Sequence, residues 1–221
     1  MSKEVLPGSC RGVRRGERLT NCIGAWHKRP YTGFTLIELV VVFGLILVLS
    51  GLVLSTVGYV RKKGARARAE TEIAAMAAAL EGYKADNAVY VRDCTTTDAL
   101  VASSSGDPTT YQNASLYLYK QLSGDTNANL QPPAGAKSYF TFKSIPPSTD
   151  GTSNSGMLSI TRSGNTYTVN YIRDPFGNSY GYSTANQANQ SNGYNPTFDL
   201  WSTAGTTSGS TTDRNQWIKN W

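Results

Sequence analysis

Residues 34–60 read FTLIELVVVFGLILVLSGLVLSTVGYV, an apolar run of 27 residues carrying one charge, Glu38. About 20 apolar residues cross a bilayer, and at about 1.5 Å per residue this run as a helix reaches about 40 Å. It is too long for the core of a secretory signal peptide, and no small-x-small cleavage site follows it directly. A plain single-pass anchor accounts for the length but not for Glu38. A carboxylate inside hydrocarbon costs roughly 2.5–3.5 kcal/mol on insertion scales and normally has a partner. No partner lies in the run. Cleavage immediately before Phe34 would create one, a new amino group one helical turn from Glu38, which would then be the fifth residue of the mature chain. The alternative is a shallow Glu38 that snorkels to the headgroups.

Charge and residue inventory narrow the function classes. The net charge of +6 suggests nucleic acid, but its distribution argues otherwise. Residues 1–33 hold seven Lys/Arg and two Glu, and five more basic residues crowd into Arg61, Lys62, Lys63, Arg66 and Arg68. Beyond Arg68 the chain has nine basic and twelve acidic residues, a net of −3. A domain that grips phosphates needs a basic face, so nucleic-acid binding by the globular part is not expected. The cluster at 61–68 suits anionic headgroups, acidic residues of a neighbouring subunit, or a solvated face. Five basic residues before the span and five after it leave the positive-inside rule undecided. Cys10, Cys22 and Cys94 show no zinc or CxxC spacing. Removal of residues 1–33 would leave Cys94 alone and would take away His27, the only histidine. With no histidine and no nucleophile motif, catalysis is not expected.

The hexapeptide Gly33-Phe34-Thr35-Leu36-Ile37-Glu38 resembles the prepilin peptidase recognition motif of type IV pilins and type II secretion pseudopilins. The resemblance implies cleavage between Gly33 and Phe34, N-methylation of Phe34, and pairing of Glu38 with the terminal amine of an adjacent subunit during assembly. It extends to Ala79–Asn87 with Tyr90, to Asp174-Pro175-Phe176-Gly177-Asn178 with Tyr180 and Tyr182, to Phe198–Ser202, and to Asn220-Trp221. These stretches look like those of major pseudopilins. By that likeness the chain is a structural subunit of a type II secretion pseudopilus. Its partners would be copies of itself, minor pseudopilins, prepilin peptidase and the inner-membrane assembly platform. It would sit as a single-pass protein in the bacterial inner membrane with its C-terminal domain in the periplasm, and then in a periplasmic filament. A type IV pilus or DNA-uptake pilin subunit is the near alternative. A membrane-anchored glycan-binding module, using Trp201, Trp217 and Trp221 to stack on sugars, is the distant one.

The sequence departs from the family in four places. The leader of 33 residues is long. No proline bends the second half of the membrane helix. Residues 92–172 have no counterpart and read as an insertion. The calcium loop of the family is altered to Thr203-Ala204-Gly205-Thr206-Thr207, with Asp213 its only carboxylate. Calcium takes six to eight oxygens, usually with carboxylates among them. The resemblance makes the Leu200 carbonyl, Ser202 and Asp213 the candidate calcium ligands; a Ser/Thr/Gly turn closed by hydrogen bonds is the alternative.

The expected fold is α+β: a long N-terminal helix packed on a small antiparallel sheet with long polar loops. Residues 1–33 are the cleaved leader, 34–60 the transmembrane part, 61–90 an amphipathic extension and 91–221 the β domain. Ile73, Met76, Ala77, Leu80 and Tyr83 recur at helical steps, with Glu70, Glu72, Glu81 and Lys84 off that stripe. Gly44, Gly51 and Gly58, seven apart, suit a close-packed helix seam or scattered tolerance of glycine. Residues 111–122 suggest a short helix and Tyr139–Phe142 a strand. Residues 157–162 and 166–172 suggest a hairpin in which Tyr167, Val169 and Tyr171 share a face. Segments 183–197 and 203–215 read as loops, the first of them mobile.

Overall fold

No proline falls between Pro30 and Pro108, and helix α1 runs unbroken through Leu36–Asn87. The computed structural model describes residues 33–221, so Cys10, Cys22, His27 and the seven Lys/Arg before Gly33 lie outside the described part. The chain divides at Leu49/Ser50 into two units. In the first, the apolar side chains from Phe34 to Leu49 are all at least half exposed. Among the described residues α1 is the one helix long and apolar enough to cross a membrane.

In the second unit the apolar exposure continues through Val60, and burial begins at Ala69. Ala69, Ile73, Met76 and Leu80 follow one another at four-, three- and four-residue steps and are buried. They meet Leu118 and Leu122 of α2 (Gln112–Ser123) together with Leu158, Ile160, Val169, Ile172, Tyr180, Tyr182 and Leu200 in one cluster. Residues 92–172 are therefore part of the core that covers α1. Glu72, expected off the apolar stripe, is buried as well. Its carboxylate is matched on both sides, by Arg68 Nε at 2.6 Å and by the hydroxyl of buried Tyr180 at 2.7 Å.

The strands form two three-stranded antiparallel sheets where one was expected. The first orders β1 (Gly151–Ser153), β2 (Leu158–Ser163) and β3 (Thr166–Ile172); the second orders β4 (Gly181–Ser183), β5 (Asp199–Ser202) and β6 (Ile218–Lys219). The expected hairpin is β2–β3, closed by Gly164-Asn165 with Gly164 at φ 60, the glycine-first pattern of a two-residue turn. Its facing differs from simple alternation. The register slips between Ser159 and Ile160, so Asn170 has no cross-strand partner; its amide reaches Ser159 and Thr161 side chains instead. A bulge shifts every later residue to the opposite face, and Ile172, not Tyr171, joins Val169 in the core.

Residues 139–142 are not a strand. The amides of Tyr139 and Phe140 both donate to Leu122 O, at 2.8 and 3.0 Å. They satisfy a carbonyl that the end of α2 leaves open, and the chain there follows the helix terminus, not a ladder. Gly124 ends α2 at φ 76, where an added Cβ would lie 2.8 Å from Lys137 O. The segment expected to be a mobile 183–197 loop carries a short helix, α3 (Ala185–Ala188), with Thr184 and Ala185 buried. The Asp199 carboxylate holds the far end by accepting from the amides of Tyr194 and Asn195, each at 2.8 Å.

Candidate processing and assembly site

Two regions were singled out by sequence, the 33–38 segment and the C-terminal loop. At the first, Gly33, Phe34 and Thr35 precede α1 outside any helix or strand and Phe34 is 85% exposed. Thr35 caps the helix. Glu38 Oε2 accepts from Thr35 N at 2.8 Å and from Thr35 Oγ1 at 2.7 Å, and Glu38 N donates back to Thr35 Oγ1 at 3.3 Å. This reciprocal Thr-x-x-Glu arrangement is a capping box. The expectation that Glu38 has no partner in the run is corrected: Thr35 is one. The signal was present in the spacing of Thr35 and Glu38, immediately ahead of an apolar helix.

The capping box occupies one carboxylate oxygen. Among the described residues Glu38 forms no ion pair, so its charge is hydrogen-bonded but not neutralised. Glu38 lies with Phe34, Ile37, Val41 and Val42 along a shallow apolar hollow. The region thus presents an exposed Gly33–Phe34 junction, a carboxylate one turn into the helix, and apolar surface that its own chain leaves uncovered. Gly44, Gly51 and Gly58 have nothing within 4 Å of an added Cβ. Each costs a helix about 1 kcal/mol relative to alanine, and no close contact inside the chain requires a glycine at these positions.

At the C-terminal loop the three candidate calcium ligands are engaged separately. Leu200 O accepts from Asn220 N at 3.2 Å. Ser202 is fully buried; its hydroxyl donates to Asp174 Oδ2 at 2.5 Å and accepts from Ala204 N at 3.1 Å. Asp213 lies in the short helix α4 (Thr211–Arg214), where its carboxylate accepts from Ser208 Oγ and its amide donates to Ser210 Oγ. Among the described residues no group of three or more His, Cys, Asp or Glu side chains is placed to hold a metal ion. A calcium cage needs several convergent, unengaged oxygens, and this donor set does not fit one.

Asp174, named from the sequence only as part of the Asp174–Asn178 stretch, is the hub here. It is fully buried, and Oδ1 accepts from Phe176 N at 3.0 Å and Asn178 N at 2.8 Å. Burial pushes its carboxyl above the usual range; the Ser202 hydroxyl and the amides of Asn178, Phe176 and Gly177 pull it back. Trp201 and Trp217 are buried core residues stacked at 6.1 Å. They are not a sugar platform; only Trp221, stacked at 4.5 Å on half-exposed Tyr194, retains some exposure.

Comparison with known proteins bears on the N-terminal region. Residues 28–54 match the family model described as the prokaryotic N-terminal methylation motif, which covers Gly33, Phe34 and Glu38. No curated protein and no solved structure matches the chain. The chain therefore carries a type IV prepilin-like processing signal at the head of its membrane-capable helix.

Proposed function

We propose that this chain is a structural, non-catalytic subunit of a type II secretion pseudopilus. Prepilin peptidase cuts it between Gly33 and Phe34 and methylates Phe34. The mature subunit waits in the inner membrane with its C-terminal domain in the periplasm, and polymerises through α1. The observation that carries this reading is the methylation motif at 28–54 with Glu38 near the start of an apolar helix whose side chains are exposed. Exposed leucines, valines and phenylalanines are satisfied by lipid before assembly and by other helices after it. Moving from one to the other involves little hydrophobic gain, so docking is directed by polar pairing. The new amine of Phe34 in one subunit and the Glu38 carboxylate of its neighbour supply that pairing, and the capping box holds the carboxylate in place for it.

The pseudopilus is preferred to a pilus on the 174–178 turn, the short C-terminal β5–β6 ladder and the single cysteine of the mature chain. A loop closed by a disulfide, as in many pilins, is not available to it. Copies of the same chain are the main partner, with minor pseudopilins at the tip and the assembly platform at the base. A strain lacking the protein tests the assignment: loss of exoprotein release with twitching and transformation intact supports it. Intact secretion with lost twitching or DNA uptake reassigns the chain to a pilus.

A further inference from the structure

The loop that follows β5 is pinned by the protein's own polar groups. Asn178 Nδ2 donates to Thr203 Oγ1 at 2.9 Å, and Thr206 donates to Thr203 O through its amide at 3.0 Å and its hydroxyl at 2.7 Å. Trp217 Nε1 donates to Thr206 Oγ1 at 3.2 Å, tying the loop's start to its return strand. Ala204 and Gly205 take φ of 54° and 87° in succession, a tight reversal that buries Thr203 and Ala204. Further along, Gly209 meets Gly106 so closely that a Cβ on Gly106 would lie 1.9 Å from Gly209 Cα. At the far end Asn220 bonds Leu200 N through Oδ1 at 2.9 Å and Phe198 O through Nδ2 at 3.1 Å.

The Leu200, Ser202 and Thr203 oxygens near β5 are thus already hydrogen-bonded. Leu200 O faces Asn220 N, Ser202 Oγ faces Asp174, and Thr203 O accepts twice from Thr206. Calcium would have to break several of these bonds and bring Asp213 from the loop's exposed end. A buried carboxylate met by two amides and a hydroxyl gives charge-assisted hydrogen bonds of fixed direction. They supply the crosslink between the 174–178 turn and the loop that a bound ion would otherwise make.

We infer that the Asp174 carboxylate, with Ser202, Asn178 and Thr203, locks the C-terminal loop in place of a divalent cation, so that the domain folds and holds its shape without calcium. The inference concerns the globular domain and is independent of which filament the subunit builds. A further consequence is that calcium depletion outside the cell membrane would leave this subunit folded.

The test is thermal unfolding of the full chain in detergent, followed by tryptophan fluorescence, in saturating calcium chloride and in EDTA. The expected result is one midpoint in both. Thr203→Val keeps the shape and removes the acceptor for Asn178; it is expected to lower the midpoint by a few degrees, equally in both buffers. Asp174→Ala should lower it further or prevent folding. A midpoint raised by calcium in the unsubstituted chain overturns the inference. So does luminescence from terbium, used as a calcium probe, that is lost in Asp213→Asn. An unchanged midpoint in both Thr203→Val and Asp174→Ala would also overturn it, because the network would then not be what holds the loop.

Discussion

Tyr180→Phe isolates the contact that fastens α1 to the sheet side of the core. The Tyr180 ring is fully buried and its hydroxyl donates to Glu72 Oε2 at 2.7 Å. The substitution keeps the ring and deletes one hydrogen bond to a buried carboxylate. Bonds to charged groups contribute about 1.5–3 kcal/mol. Glu72 keeps Arg68, whose side chain is 50% exposed and so screens less effectively than a buried partner. A loss of about 2 kcal/mol is expected, which for a domain of this size lowers the melting temperature by roughly 4–8 °C. Glu72→Gln in the same background measures the coupling, expected near 1–2 kcal/mol because the two groups touch. The assay is urea or thermal unfolding of the detergent-solubilised chain, single and double variants side by side. A Tyr180→Phe effect below about 0.5 kcal/mol, with additive double-variant behaviour, would refute the claim that this buried pair holds helix and sheet together.

Three further outcomes follow from the same geometry. Gly181→Ala places a Cβ 2.1 Å from the ring of fully buried Trp201, so overpacking should cost about 1–3 kcal/mol or more, read as a lower urea midpoint; a neutral result would mean that the ring is free to move. Burial pushes the Tyr111 phenol up to about 12 and holds those of Tyr180 and Tyr182 well above the usual phenol range. Unfolded tyrosine loses its proton near pH 10 while the folded residue keeps it, so the tyrosine contribution to stability is constant below about pH 10 and falls as pH rises from there towards about 12. Tyr111 alone accounts for roughly 2–3 kcal/mol, and unfolding scans across that window with phenolate absorbance check it. Glu38→Ala should insert at least as well as the unsubstituted chain, since it removes a charge from hydrocarbon, yet fail to polymerise; assembled filaments from this variant would remove the pairing argument.

Local patterns carried much of this fold. An uninterrupted apolar and amphipathic stretch without proline reads as one helix, and α1 is that helix. Asn165 after Gly164 between two alternating runs reads as a hairpin, and β2–β3 is that hairpin. What escaped depended on partners distant in sequence. Glu72 looks like a solvent residue until Tyr180, 108 positions away, is folded against it. The Asn170 bulge reverses the facing of Tyr171 and Ile172 without any turn residue to announce it. Residues 139–142 have strand composition, but the open carbonyl of Leu122 takes their amides first. At the N-terminus the processing motif was fully legible, because a peptidase reads it as local sequence. The capping box is equally local, written in the three-residue spacing of Thr35 and Glu38. At the C-terminal loop, Thr203-Ala204-Gly205-Thr206-Thr207 carries no carboxylate of its own; the buried hub, Asp174, lies in a different turn that only folding brings alongside.

In the proposed assembly a peptidase supplies the amine with which Glu38 pairs. Mass spectrometry of the subunit taken from assembled filaments tests it most directly. A chain that begins at Phe34 and carries one methyl group on its amine is expected. Filament subunits that still begin upstream of Gly33 would contradict it.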